Sequence, residues 1–177
     1  MKKLLFAISL LFVSLPVSAG TDIVQHKRLL NVVESLGVQV FINDSYCKKL
    51  NMFNGFYINK KKQQLYICQD NSLMDGKIVE WTENDFDTIR HEAFHLIQDC
   101  NDGKLGDGDY KLVYNDDELI QVVLDSGITM KRLQRYVNLY TILGESSHGT
   151  MLEMEAISSS KVMSADDITE KIIDVCV

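Results

Sequence analysis

Five consecutive residues, His91-Glu92-Ala93-Phe94-His95, set two imidazoles four positions apart with a carboxylate beside the first. On a helix, residues at i and i+4 lie one turn apart on the same face. Both rings then reach a single tetrahedral ion at about 2.0 to 2.1 Å per nitrogen. Zinc is the expected ion. Glu92 projects beside the pair, close enough to take a proton from a metal-bound water but not directed as a ligand.

That chemistry requires the motif to be helical, and the flanking residues supply an independent reason to expect it. Phe86, Ile89, Ala93, Leu96 and Ile97 recur at helical spacing, with Thr82 as N-cap and Asp85 three residues on, so the pattern predicts a helix from Thr82 to about Asp99. A hydrolytic zinc site needs a third protein ligand and an open fourth position. No HExxH-x-x-G-x-x-H extension is present, since Gln98 and Asn101 stand where it would fall; the metzincin pattern is excluded. His26 lies far upstream in a first helix. The downstream segment MLEMEAISSS offers Glu153 and Glu155, with His148 as a further candidate.

HEAFH together with Glu155-Ala156-Ile157-Ser158 resembles the gluzincin metallopeptidases, whose thermolysin-like members carry a downstream Glu-Ala pair on a second helix. The resemblance covers the two motif helices. It implies zinc-dependent hydrolysis of a peptide or protein substrate, with His91, His95 and Glu155 as metal ligands. Glu155 is preferred to Glu153 because Ala156 is small and Ser159 shares its helical face. The family has an aspartate four residues after the glutamate; here that position is Ser159, whose hydroxyl is a weaker acceptor for the imidazole N–H. The interval from His95 to the glutamate is also much longer than in thermolysin.

In the expected mechanism zinc polarises the scissile carbonyl and acidifies its water, while Glu92 accepts the proton and returns one to the leaving amine. A separate donor for the oxyanion is sought among His148, Tyr140, Tyr136 and Tyr114. His148 is favoured as a catalytic residue because it sits in a loop just before the glutamate helix. The alternative reading is a non-catalytic, zinc-binding exported protein or partner-binding module, against which an intact Glu92 speaks.

The rest of the chain sets these residues in a frame. MKKLLFAISLLFVSLPVSAG has the lysines, apolar run and small residues of a secretory leader. Cleavage is expected after Ala19, leaving one domain from Gly20 to Val177 that is secreted or periplasmic. No later segment is long and apolar enough to span a bilayer, so no membrane partner is expected for the mature form. The formal charge of −7 becomes −9 once Lys2 and Lys3 leave, which argues against nucleic acid. Four cysteines in an exported chain point to disulfides, with Cys47–Cys68 and Cys100–Cys176 the preferred pairing.

Local patterns predict a helix from Thr21 to Leu36, a strand from Val38 to Ile42, and a hairpin of Phe56–Ile58 with Leu65–Cys68. Helices are expected over Asp116–Ser126, Thr129–Leu143, Gly149–Met163 and from Ser164 or Asp166 to Cys176. The Asp- and Gly-rich stretch after Asp99 lacks EF-hand spacing and reads as solvent-exposed turns. The fold class expected is α+β and zincin-like: a small N-terminal β-hairpin or sheet, an active-site helix, and a helical C-terminal half.

Overall fold

A computed structural model describes residues 19–49, 54–59 and 62–177. The expected leader, apart from Ala19, lies outside the described residues. The described residues form an α+β architecture with a three-stranded sheet and six α-helices: α1 (Ala19–Ser35), β1 (Gln39–Ile42), β2 (Gly55–Ile58), β3 (Gln64–Ile67), α2 (Glu83–Cys100), α3 (Asp116–Asp125), α4 (Met130–Ile142), α5 (Ser147–Val162) and α6 (Ala165–Cys176). No helix among the described residues is long and apolar enough to cross a membrane.

Helix α2 starts where the sequence marks it. Thr82 accepts the Asp85 amide and the Asp85 carboxylate accepts the Thr82 amide at 2.8 Å, which satisfies two N-terminal donors reciprocally. The other Asp85 oxygen accepts the Asp70 amide at 3.0 Å and so ties the helix start to the segment leaving β3. The same reciprocal box starts α3 at Asn115 with Glu118 and α6 at Ser164 with Asp167.

The hairpin expectation holds for β2 and β3, which pair antiparallel with Phe56 opposite Tyr66. β1 joins the other side of β3 in parallel, with Phe41 opposite Tyr66, so the sheet order is β1-β3-β2 and β2 is an edge. Local patterning carries no information on that parallel pairing, because the partner strands are separated by a crossover.

The core forms where α1, α2, α6 and the inner face of the sheet meet. Leu29 and Val33 from α1, Ile89, Phe94, Leu96 and Ile97 from α2, and Ile168 and Ile172 from α6 are essentially inaccessible, with Leu65 and Ile67 of β3 above them. Helix α5 lies against α2 through small residues, Ala156, Ser159 and Ser160, all buried. Two disulfides close the frame as expected: Cys47–Cys68 and Cys100–Cys176, the latter fixing the end of α2 to the end of α6.

Candidate functional site

The periodicity that buries Ile89, Ala93 and Leu96 turns His91 and His95 to the opposite side of α2, into an open cleft of about 590 Å³. β2 forms one wall; the loop carrying Tyr110, the end of α4 and the start of α5 form the other. The two Nε2 atoms stand 3.1 Å apart, with the rings roughly perpendicular. His91, Glu92 and His95 each offer a ligand atom within 4.8 Å of the others, and a Glu92 carboxylate oxygen is 4.0 Å from His91 Nε2.

The glutamate that meets the histidines is Glu153. One of its oxygens lies 3.5 Å from His91 Nε2 and the other 3.5 Å from His95 Nε2. Glu155, preferred on sequence grounds, is turned away. Two residues along a helix is a rotation of about 200°, so the two side chains cannot share a face. Glu155 is fully buried, accepting the Val113 amide at 2.9 Å, the Tyr114 amide at 2.8 Å and Gln98 Nε2 at 2.7 Å. Ala156 and Ser159 do share its surroundings, but those surroundings are the interface with α2. The Ser159 hydroxyl is buried there without a hydrogen-bond partner and does not hold a histidine.

Glu155 still bears on the site from behind. Gln98, one turn beyond His95, faces the His95 Nδ1 with its carbonyl oxygen at 2.7 Å and donates its amide to Glu155 and to the Leu152 carbonyl. A carbonyl oxygen only accepts, so His95 Nδ1 carries a proton and Nε2 is the nitrogen that faces the cleft. Sequence reasoning used Gln98 only to exclude a motif. Its spacing of i+3 from His95 was the available signal, since such neighbours touch on a helix.

His148 lines the same cleft but lies in the first turn of α5, not in a loop: Ser146 caps a helix that begins at Ser147, earlier than expected. Its Nε2 donates to the Tyr110 carbonyl at 3.0 Å and is thereby committed to holding the opposite loop. Among the tyrosines singled out, Tyr114 reaches Met163 and the Tyr136 hydroxyl accepts from Arg132; Tyr140 faces the site beside Glu153. Tyr110, not singled out, stands edge-on to His95 at 6.3 Å between centroids. Burial, with Asp99 acting on Tyr110 and Glu153 on Tyr140, holds both phenols in the neutral, donating form. His26 is remote, stacked on Phe86.

The electrostatics follow from burial set against pairing. Glu92 is nearly inaccessible and desolvation raises its carboxyl above the usual range, with the two histidines opposing. Desolvation works against a charged His95, yet Glu153, Glu92 and Gln98 outweigh it and push the ring up to about 9. Desolvation likewise opposes ionisation of Glu153, and the two histidines reverse that, holding it well below the usual carboxylate range.

The donor set suits a tetrahedral ion. Ligand atoms around one zinc stand about 3.3 Å from each other, given bonds of about 2.0 to 2.1 Å. The two Nε2 atoms stand 3.1 Å apart and each has a different Glu153 oxygen at 3.5 Å, so either oxygen could serve as the third ligand, and the fourth direction opens into the cleft.

Comparison with known families places residues 17–136 in a family described as Domain of unknown function (DUF8637). The chain belongs to that family. The matched residues take in the sheet, α2 with its histidines, α3 and the first part of α4, and stop short of the helix that carries Glu153. No curated protein and no solved structure matches the chain.

Proposed function

We propose that this chain is a zinc-dependent metallopeptidase with a zincin-like fold that acts outside the cytoplasm, secreted or periplasmic. The observation that carries the reading is the convergence of His91, His95 and Glu153 on one point at the floor of an open cleft, with Glu92 beside it and not part of the triangle. A structural zinc site is closed by four protein ligands, whereas a hydrolytic one uses three and leaves a position for water or substrate. Two disulfides fit an oxidising compartment.

Zinc held by these residues would supply Lewis acidity towards a carbonyl oxygen and lower the pKa of water. The chain's own groups do the rest. Glu92, its carboxyl raised above the usual range by burial, accepts a proton at its carboxylate and hands it to the departing amine. Gln98 fixes the His95 ring through Nδ1. Tyr140 and Tyr110, neutral and facing the cleft, are placed to donate to a developing oxyanion, and they supplant His148 in that part.

Elemental analysis of the purified protein and its variants tests the reading. One zinc per chain is expected in wild type, with loss in His95→Ala and Glu153→Ala and retention in Glu92→Gln. Wild type and not Glu92→Gln is expected to cleave labelled casein. A wild-type protein free of zinc after purification in metal-replete medium would sink the proposal.

A further inference from the structure

Gly55 opens β2 and is buried directly above Glu92. Its φ is not positive, and it pairs with Ile67 in the β-ladder like any strand residue, so backbone freedom does not explain a glycine at this point. Space does. A Cβ on Gly55 would stand 2.6 Å from Thr88 Cγ2, 2.9 Å from Glu92 Cγ and 2.9 Å from the Tyr66 carbonyl oxygen, distances that real side chains essentially never show.

Which neighbour yields is decided by what holds each one. The Tyr66 carbonyl belongs to the main chain of the central strand, paired on both sides. Thr88 is fixed in its rotamer because its hydroxyl donates to the Asn84 carbonyl at 2.9 Å. β2 itself is clamped to α2 farther along: the Tyr57 hydroxyl donates to Asp99 at 2.8 Å and Asn59 Nδ2 to the other Asp99 oxygen at 3.0 Å. Asp99 is fully buried, and the Gly106 amide supplies a third hydrogen bond to it at 3.0 Å. Glu92, whose carboxylate meets the Tyr57 amide of the same strand, is the neighbour with the most rotatable bonds, so its stem is the one that gives.

We propose that Gly55 is a positioning residue for Glu92: the missing side chain makes a seat, bounded by Thr88 and the Tyr66 carbonyl, that holds the Glu92 stem in the one placement that keeps its carboxylate beside the histidine pair and outside the ligand triangle. This rests on reading Glu92 as the general base. Adding one methyl group pushes the stem out of the seat. The three atoms nearest the added methyl belong to Thr88, Glu92 and Tyr66 and none to His91, His95 or Glu153, so the ligands are expected to keep their places.

The test compares Gly55→Ala, Gly55→Ala/Thr88→Ser and wild type for zinc content, turnover of fluorescein-labelled casein and crystal structure. Thr88→Ser removes the methyl nearest the new Cβ and keeps the hydroxyl that bonds Asn84. Gly55→Ala is expected to keep its zinc and lose about a hundredfold in turnover, the scale at which a misplaced catalytic group acts. The double variant is expected to recover at least about tenfold of that. A merely structural glycine would lose fold and zinc together and would show no recovery with Thr88→Ser. Should Gly55→Ala fail to fold, Thr88→Leu presses on the same seat from the half-buried side of α2 and is expected to lower turnover with zinc retained. Wild-type turnover in every folded variant overturns the proposal. If wild type binds zinc but cleaves no casein, the peptidase reading fails separately, and the crystal structures decide the seat. A Glu92 carboxylate displaced in Gly55→Ala and restored in the double variant supports it; an unmoved carboxylate overturns it.

Discussion

Helices α2 and α4 both border the cleft and are built on opposite terms. Of the 18 residues of α2, eleven are buried, and the helix is fastened at its start by a capping box and at its end by Cys100–Cys176. α4 has 13 residues and buries none; it packs on α5, and Met130 and Ile142 are largely exposed. The proposed ligand pair is thus set on the helix with eleven buried residues, and Tyr140, the proposed donor, on one with none. Local stability follows buried contacts, so α4 should open at far lower cost than α2. In the proposed reading this arrangement would keep the metal geometry preorganised while the wall that admits substrate moves.

The largest expected effect comes from breaking the stiff side at the motif. His95→Ala should abolish zinc binding and turnover. Glu92→Gln should leave zinc in place and lower turnover by roughly 10²- to 10⁴-fold, the contribution typical of a positioned proton acceptor. Equal zinc loss in both variants, measured by elemental analysis, would contradict the separation of ligand and base.

Packing gives the sharpest form of the contrast. Phe94 is fully buried in α2, and Phe94→Ala should cost about 3 to 5 kcal/mol in chemical denaturation. Leu139→Ala in α4, at 38% exposure, should change stability by no more than about 0.5 kcal/mol. Comparable losses at the two positions would show that α4 is held by more than its contacts with α5.

The same contrast explains what the sequence revealed. α2 was legible from its cap, its apolar spacing and its motif because all three are local signals, and its histidines fall where they predict. The hairpin, the disulfides and the helix order were legible for similar reasons. The choice between Glu153 and Glu155 was not. Both lie on α5 with apolar or small neighbours, and which face meets the cleft depends on how α5 is rotated against α2. Ala156 and Ser159 were correctly grouped with Glu155, but smallness marks close helix packing as readily as a site. The two extra residues at the start of α5, signalled by Ser146 three residues before Gly149, put His148 in the helix and not in a loop.

Gln98 probes the back of the site with a smaller effect. Replacing it by Leu removes the acceptor for His95 Nδ1 and leaves Glu155 with one donor fewer. Zinc affinity should fall about 10- to 100-fold, the usual cost of losing such a partner, with the fold retained. Isothermal titration of metal-free protein with zinc reads the difference. Unchanged affinity would mean that helix α2 alone aims the ring.

The smallest effect lies on the far side of α2, at His26. Its Nδ1 faces the Asp22 carbonyl at 2.6 Å and its Nε2 accepts a hydrogen bond from Arg90 Nη1 at 2.9 Å. A carbonyl only accepts and a guanidinium only donates, so the ring is neutral, with its proton on Nδ1. Desolvation lowers its pKa below the ordinary 6.5 and the Arg90 cation lowers it further, against the Asp22 carbonyl. The unfolded chain therefore binds this proton first as pH falls. The stability His26 contributes is fully present above about pH 6.5 and is lost below it, as pH falls towards the folded pKa. His26→Gln, which offers a donor and an acceptor without titrating, should flatten the loss of melting temperature on acidification. Every other titrating group is common to the two proteins, so the difference between their curves isolates the ring. Parallel curves would mean that Arg90 swings away and lets His26 take up its proton in the folded state.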